Sequence, residues 1–313
     1  MKDEAELKAC RDGFGDALIE LGKENTNVVA LTADLSESTR VEGFAKKYPE
    51  RFVECGVAEQ NMMGMAAGLA LSGKIPFVAS YATFSPGRSW DQFRVSVCYS
   101  NTNVKVIGAH AGISVGADGA THQALEDLAM TRVLPNLVVI SPGDYLETFK
   151  AVKAAAAWPG PVYIRFGREK TPVFTTKESP FTIGKANVLQ EGSGVTIFAT
   201  GPLVYKCLQV AKELGNCEVV NIHTLKPLDV GTIMSSARKT GAVVTVEEHQ
   251  IIGGLHGAIA ECLAQNFPVP VEAVGMPNQF GESGKPEELL EKYGMGVGAI
   301  KEAVKKVLVR KRQ

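Results

Sequence analysis

The hydrophobic positions in the first half of the chain fall into short continuous runs, separated by longer segments with helical spacing. Such short apolar runs predict strands that are buried on both faces. The runs that predict strands are 28–32, 52–55, 76–80, 104–109, 137–140 and 162–166. The segments that predict helices are 5–23, 57–71, 89–100, 122–132 and 145–157. This alternation indicates a parallel sheet covered by helices.

A polar stretch at 168–185, which reads REKTPVFTTKESPFTIGK, interrupts the alternation and is typical of a domain boundary. Beyond it the alternation resumes. Its predicted strands are 196–199, 218–222, 243–246 and 271–274, and its predicted helices are 203–214, 231–240, 255–266 and 299–310. We therefore predict two α/β domains with parallel sheets, over residues 1–175 and 185–313.

Composition and charge narrow the function classes. The 313 residues are 45% hydrophobic and 21% charged, and 33 Lys and Arg against 34 Asp and Glu give a net charge of −1. This balance provides no basic field for nucleic acid. No apolar run is long enough for a membrane span, and the acidic start lacks the features of a signal peptide. The six scattered cysteines form no CxxC pair, which is typical of buried thiols in a reducing compartment. We expect a cytoplasmic protein.

The segment 53–73 places Glu59 in the first turn of a predicted helix. A carboxylate at that position can simply complement the helix dipole. The later residues of the helix, 62–71, are almost all small or apolar, so we expect the helix to be buried all round. A carboxylate at the start of a buried helix needs a partner. The pattern therefore leaves two interpretations open, a dipole role and proton exchange with a ligand.

Aromatic residues flank a Pro-Gly turn in the segment 80–94, where Tyr81, Phe84, Trp90 and Phe93 follow a predicted strand. Aromatic side chains around a loop at a strand end can sandwich a flat heterocycle. They can equally form part of the hydrophobic core.

The glycine-rich segment 108–130 carries His110, Asp118 and His122. Histidines beside a carboxylate suit recognition of hydroxyl or phosphate groups, or proton transfer. Structural histidines are the alternative. The spacing matches no standard zinc pattern, so we predict no metal site in this chain.

Polar residues follow two further strands. Arg165 and Arg168 come after the last strand of the first domain, where open α/β sheets bind ligands, and guanidinium groups there can clamp a phosphate or form an interdomain salt bridge. Asp34, Ser36 and Ser38 follow the strand 28–32 and could contact a ligand or cap the next helix.

Together, the segments GVAEQNM, YATF, GAHAGISVGADGATHQ and REKTP resemble the carboxyl-terminal half of transketolases in order and spacing. The resemblance covers essentially the whole chain. It implies a pyrimidine-binding domain followed by a transketolase C-terminal domain. It also implies transfer of a two-carbon ketol unit from a ketose phosphate to an aldose phosphate, with thiamine diphosphate as cofactor.

The resemblance implies cofactor roles for individual residues. Glu59 resembles the glutamate that hydrogen-bonds N1′ of the aminopyrimidine, and Phe84 resembles the ring stacked on that heterocycle. Trp90 stands where the family usually has another aromatic residue of the pocket. Gly87 stands where it often has a third, which implies a looser pocket. We also expect Asp34 to contact the cofactor.

The resemblance implies substrate roles for a second set. The residues that resemble sugar-phosphate contacts are Arg11, Ser38, His110 and Arg168, with Arg165 as a further candidate. Asp118 and His122 resemble the pair that binds substrate hydroxyls near the reacting carbon. We expect Glu59 and His122 to act in catalysis.

The chain lacks the Gly-Asp-Gly segment with which thiamine enzymes hold the metal and the diphosphate. In this family the site lies between domains of different subunits. The resemblance therefore implies the C-terminal subunit of a split transketolase. An obligatory N-terminal subunit would hold the diphosphate and Mg²⁺ or Ca²⁺, in a heterotetramer with two sites.

Three other functions remain open. Deoxyxylulose-phosphate synthase shares the GADGxTHQ and YxTF segments, but it is normally one long chain. The β subunit of a 2-oxoacid dehydrogenase has the same domain order, although His110 and the DGATHQ loop favour sugar phosphates instead. A non-catalytic binding subunit is the third alternative.

Overall fold

Three sheets organise residues 6–311, which are the residues that the computed structural model describes. The strands are β1 Leu7–Ala9, β2 Val28–Thr32, β3 Phe52–Glu54, β4 Ile75–Tyr81, β5 Lys105–Ala109, β6 Val138–Ile140, β7 Val162–Arg165, β8 Lys170–Pro172, β9 Asn187–Gln190, β10 Val195–Ala199, β11 Cys217–Asn221, β12 Thr224–Lys226, β13 Val243–Gln250 and β14 Val271–Met276. The helices are α1 Cys10–Glu24, α2 Glu42–Lys47, α3 Glu59–Leu71, α4 Trp90–Gln92, α5 Asp127–Arg132, α6 Tyr145–Ala157, α7 Val204–Leu214, α8 Val230–Thr240, α9 Leu255–Asn266, α10 Pro286–Lys292 and α11 Val297–Lys311.

The first sheet has seven strands in the order β12-β6-β7-β5-β4-β2-β3. Strands β2, β5 and β7 are buried along their whole length, because helices cover both faces of the sheet. Helices α1 and α6 pack on one face, where Phe14, Leu18 and Val152 meet Phe77 and Ile107. Helix α3 packs on the other face. The predicted parallel-sheet domain is confirmed.

The second sheet has five strands in the order β14-β13-β10-β11-β9, and all its pairs except β11–β9 are parallel. Helices α7 and α11 pack on one face of this sheet, through a cluster that includes Val204, Leu208, Ile300 and Val304. The prediction of a second α/β domain is therefore confirmed. The limits 1–175 and 185–313 stay a prediction. None of the helices in residues 6–311 has the length and apolar character needed to cross a bilayer.

One strand crosses between the domains. Strand β12 follows the second domain's β11, yet it pairs antiparallel with β6 at the edge of the first sheet, where Thr224 lies opposite Ile140. The hydrophobic pattern does not predict β12, nor β1, β8 and β9, because each is short and interrupted by polar residues.

Three predicted helices differ from the structure. The helix predicted over 5–23 begins at Cys10, since Leu7–Ala9 pairs with Lys170–Pro172 as a strand; residue 5 lies outside the described residues. The helix predicted over 122–132 begins only at Asp127, because a bridge between residues 111 and 124 holds the preceding loop. The helix predicted over 89–100 is α4 followed by a π-helical segment, Phe93–Tyr99.

Helix α3 is not buried all round, so that expectation is wrong. Met62, Met63 and Ala66 face the core, whereas Met65 is 38% and Leu71 is 78% exposed. The apolar composition of this helix therefore reflects two apolar faces, only one of which packs against the chain's own core.

Arg165 forms a buried ion pair within the first domain and a hydrogen bond to the second. The Arg165 Nε donates to both carboxylate oxygens of Asp127, at 2.8 and 3.1 Å, and its Nη2 donates to the carbonyl of Glu248 at 2.9 Å. The Tyr163 hydroxyl donates to the same carboxylate at 2.9 Å. Arg165 and Asp127 are both almost inaccessible to water, so each charge depends on the other.

Arg165→Met should lower the free energy of unfolding by about 3–5 kcal/mol, because it leaves the Asp127 carboxylate buried without its cation. Urea denaturation of the purified chain measures this change. The matched control is Arg310→Met, which removes a half-exposed arginine paired with Glu272 and should cost less than about 1 kcal/mol. Similar small losses in both variants would contradict the structural role of Arg165.

Candidate active site

The predicted site residues converge because neighbouring parallel strands end at the same edge of the first sheet. Strands β2, β4 and β5 are adjacent and parallel, and Tyr81 at the end of β4 lies opposite Ala109 at the end of β5. His110 follows β5 directly, and α3 begins at Glu59 just beyond β3. This edge is where open α/β sheets bind ligands.

Glu59 occupies the first position of α3 and is only 3% exposed. Arg88 Nη1 donates to its carboxylate at 2.9 Å. The guanidinium carbon of Arg88 also lies 4.1 Å from the centre of the Phe84 ring. The carboxylate, the guanidinium and the aromatic face therefore form one cluster near this edge of the sheet.

Four rings form an aromatic wall beside this cluster. Tyr81 stacks on His110 at 4.0 Å between centroids and on Phe84 at 5.8 Å. His122 meets Phe84 edge-on at 5.3 Å. The structure thus brings together side chains from β4, from the residue after β5 and from the glycine-rich loop, as the sequence predicted.

Three arginines surround His110. Burial, followed by the positive charges of Arg11, Arg168 and Arg40 in that order, lowers the pKa of His110 to about 3. Neutral His110 is therefore the form present near pH 7. Its Nδ1 and the Nε of Arg11 are buried and have no hydrogen-bond partner within the described part of the chain. Orphaned donors among cations fit an anionic group.

The remaining contacts hold these donors in place. Arg11 Nη1 donates to the Ser38 carbonyl at 3.2 Å, so Ser38 meets the cluster through its backbone. Arg168 Nη1 donates to the Val115 carbonyl at 3.2 Å and lies 3.6 Å from an Asp118 carboxylate oxygen. Asp118 ends a short 3-10 segment, and His122 Nδ1 is 2.8 Å from the Thr121 hydroxyl.

Sequence reasoning misses two members of the site, Arg40 and Arg88. Arg40 Nε lies 2.7 Å from a carboxylate oxygen of Asp12. Its position two residues after Ser38 is the sequence feature that could have indicated it. Arg88 directly follows Gly87. A Cβ at Gly87 would lie 2.1 Å from the Thr83 carbonyl, so no side chain fits there. The looser pocket expected from Gly87 stays a prediction; in the free chain the neighbouring Arg88 covers Phe84.

Three predicted residues lie apart from the cluster. Arg165 faces the domain boundary, where its guanidinium is fully engaged. The Trp90 ring packs at the edge of the core, 6.4 Å from the buried Phe93 ring. Asp34 is exposed after β2, and its backbone N–H donates to a Glu54 carboxylate oxygen at 2.7 Å. Their predicted ligand roles gain no support from this geometry.

Among residues 6–311, the structure places no group of three His, Cys, Asp or Glu side chains where it could hold a metal ion. All six cysteines are unpaired thiols.

Comparison with known proteins identifies relatives for both domains. Residues 7–173 match the family model of the transketolase pyrimidine-binding domain, and residues 184–300 match that of the transketolase C-terminal domain. A Methanocaldococcus jannaschii protein named as a transketolase C-terminal section is 48% identical over 295 residues, which are 92% of each chain. A 6-deoxy-6-sulfo-D-fructose transketolase subunit of a Clostridium species is 43% identical, covering 96% of this chain and 95% of its own.

The fold also matches a solved structure. A split-gene transketolase, described as an inactive β4 tetramer, superimposes with a TM-score of 0.89 at 47% identity. The match covers 97% of this chain and 99% of that one.

His110 should remain neutral through the physiological pH range. Because the pKa falls from an ordinary 6.5 to about 3, the unfolded chain binds this proton more readily than the folded chain. The stability that neutral His110 contributes is therefore complete above about pH 6.5 and is lost as the pH falls towards 3. Between pH 7 and 5, wild type should lose about 2 kcal/mol more stability than His110→Gln, measured by urea unfolding. A ring NMR signal of His110 that titrates near pH 6.5 would refute this.

Proposed function

This chain belongs to the transketolase family, and from that premise we propose that it is the C-terminal subunit of a split transketolase. Together with a separate N-terminal subunit, it transfers a two-carbon ketol unit from a ketose phosphate to an aldose phosphate. The observation that carries the proposal is the Glu59 carboxylate, almost fully buried at the start of α3 beside Phe84.

Glu59 and Phe84 fit the aminopyrimidine of thiamine diphosphate. An aminopyrimidine is flat and carries in-plane nitrogens, so it suits an aromatic face next to a buried hydrogen-bonding carboxylate. Phe84 and Glu59 provide these two surfaces, with Arg88 currently against both. When bound, the cofactor supplies the electron sink that bond cleavage next to a ketone requires.

Glu59 would hold a proton at the pyrimidine N1′ position through its carboxylate. A carboxylate with little access to water keeps that proton in place instead of exchanging it with solvent. We propose that Asp34 and Trp90 have lesser roles in cofactor binding, since neither contacts this cluster. We assign the diphosphate and its Mg²⁺ or Ca²⁺ to the N-terminal subunit, because this sequence contains no Gly-Asp-Gly.

The basic cluster of Arg11, Arg168 and His110 fits the terminal anionic group, such as a phosphate, of the sugar substrate. Arg11, Arg168 and neutral His110 can each donate hydrogen bonds to it, and donors to a charged oxygen form the stronger bonds. We propose that Asp118 and His122 bind substrate hydroxyl groups. His122, edge-on to Phe84, is the closest of these residues to the proposed pyrimidine face and is our second catalytic candidate.

We propose a heterotetramer of two subunits of each kind, and a role in carbohydrate metabolism such as the pentose phosphate pathway. The six unpaired cysteines fit a cytoplasmic location. The solved relative is inactive as a tetramer of β chains, which supports a requirement for a second kind of subunit.

Reconstitution tests the whole proposal. The chain is purified with and without its N-terminal counterpart and supplied with thiamine diphosphate, Mg²⁺, xylulose 5-phosphate and ribose 5-phosphate. Sedoheptulose 7-phosphate should form only with both chains present. A parallel reaction offers 6-deoxy-6-sulfofructose as donor, since a 43% identical relative carries that substrate in its name. Turnover by the single chain would reject the half-site proposal, and no ketol transfer from any donor would reject the reaction.

In the reconstituted enzyme, Glu59→Gln should reduce kcat by about 100-fold or more, because an amide cannot exchange the N1′ proton. Thermal unfolding should show an intact fold. The matched control is Glu302→Gln, which makes the same chemical change at an exposed residue of α11 and should leave kcat unchanged. Near-wild-type turnover by Glu59→Gln would remove Glu59 from the mechanism.

His110→Ala should raise KM for phosphorylated donors by about 10- to 100-fold, because a hydrogen bond to a charged group is lost, while kcat changes little. Steady-state kinetics on the reconstituted enzyme measures both constants. His256→Ala, a histidine of the second domain bonded to Thr245, is the control and should change neither. A fall in kcat at constant KM would contradict the phosphate role.

A further inference from the structure

Arg88 makes the same two contacts that the proposed cofactor needs. Its guanidinium donates to the buried Glu59 carboxylate at 2.9 Å and lies over Phe84 at 4.1 Å. Arg88 itself is half exposed, whereas the Glu59 side chain is 4% exposed. One face of the guanidinium therefore lies against the site, and the rest of the side chain remains in water.

A guanidinium and an aminopyrimidine that carries a proton at N1′ offer a carboxylate similar recognition chemistry. Both are planar and delocalised, both present N–H donors in the plane of the group, and both stack on an aromatic face. A carboxylate beside an aromatic ring binds either one through an in-plane hydrogen bond and a stacked face. The two groups cannot occupy the contacts with Glu59 and Phe84 at the same time.

We propose that Arg88 closes the pyrimidine site of the free chain by standing in for the aminopyrimidine, and that cofactor binding displaces it. This inference rests on the proposed function, because it takes Glu59 and Phe84 as the pyrimidine contacts. Arg88 is thus a positioning residue. In the free chain it keeps the buried carboxylate paired and the Phe84 ring covered, and in the loaded site it moves out.

Displacement is possible without disturbing the core. The half-exposed side chain can turn into solvent, since Gly87 beside it is exposed and carries no side chain to obstruct the movement. Two contacts are lost when it moves, the ion pair with the buried Glu59 carboxylate and the cation–π contact with Phe84, and the cofactor must replace both. The site is therefore closed against water but not against a ligand that replaces both contacts.

Calorimetric titration of thiamine diphosphate with Mg²⁺ into the two-chain complex tests the proposal. Removing Arg88 removes the competitor, so Arg88→Ala should bind the cofactor about 5- to 20-fold more tightly than wild type. Arg88→Lys keeps the charge without the planar stacking group, and its affinity should fall between the two. Arg94→Ala, the control, removes an exposed arginine of the adjacent π-helical segment and should bind as wild type does.

Arginine labelling gives a second readout, the rate at which Arg88 is modified. If Arg88 simply contacted the bound cofactor, adding cofactor would slow this modification; displacement should speed it. Phenylglyoxal modification of Arg88, followed by mass spectrometry of the complex, should become faster when thiamine diphosphate is added, because the guanidinium is released. Slower or unchanged modification would overturn the displacement. Equal or weaker cofactor binding by Arg88→Ala would overturn it as well.

Failure of the inference can be told from failure of the proposed function. If wild type binds thiamine diphosphate and Glu59→Gln binds it less tightly, but Arg88→Ala is unchanged, the pyrimidine site stands and only the role of Arg88 is rejected. If no variant binds thiamine diphosphate in the presence of the N-terminal subunit, the proposed function is rejected, and the inference with it.

Discussion

The loop that carries half of the candidate site, residues 110–126, depends on a guanidinium that has no access to water. Arg165 reaches Asp127 at the start of α5, the carbonyl of Ala124 at the end of the loop and the backbone of Glu248 in the second domain. Glu248 in turn accepts from the Ser114 N–H at 2.6 Å. Both domains therefore fix the loop. The rings of His110 and His122 could not meet Tyr81 and Phe84 reproducibly if either end were free.

The sequence predicted the parts of the fold in which burial determines the pattern. Strands such as β2 and β10 are mostly apolar runs, and their bounds in the structure lie within one residue of the predicted bounds. Strands β1, β8, β9 and β12 escape prediction because pairing partners far away in sequence, and not local hydrophobicity, stabilise them. The same limit explains the helix predicted to start at residue 122, since the bridge to residue 111 prevents it.

The location of the site could be predicted from the sequence because the ends of neighbouring parallel strands converge. Glu59, Phe84, His110 and His122 follow strands, and the parallel sheet brings those ends to one edge. What could not be predicted is how each side chain is used. Arg165 and Arg168 are three residues apart, yet one is buried in an ion pair with Asp127 and the other is partly exposed beside Asp118. That difference arises from side-chain direction along the chain after β7, which residue type alone does not determine.

The proposed half-site places conflicting demands on the free chain. A buried carboxylate without a partner is costly, and an aromatic face open to water favours aggregation. The contact of Arg88 with Glu59 and Phe84 reduces both costs with one exposed side chain. The exposed apolar face of α3, with Met65 and Leu71, lies on the helix that Glu59 begins. The exposed apolar face and the catalytic candidate Glu59 therefore lie on the same helix.

The crossing strand β12 sets the order in which the molecule can be completed during synthesis. The first sheet lacks its edge partner for β6 until residues 224–226 have left the ribosome, after three strands of the second sheet have been made. Until then β6 presents unpaired N–H and C=O groups, which are the kind of edge that nascent chains join by mistake. The domains are consecutive in sequence but cannot mature one after the other. The interval between them is where we would expect a chaperone to act on this chain.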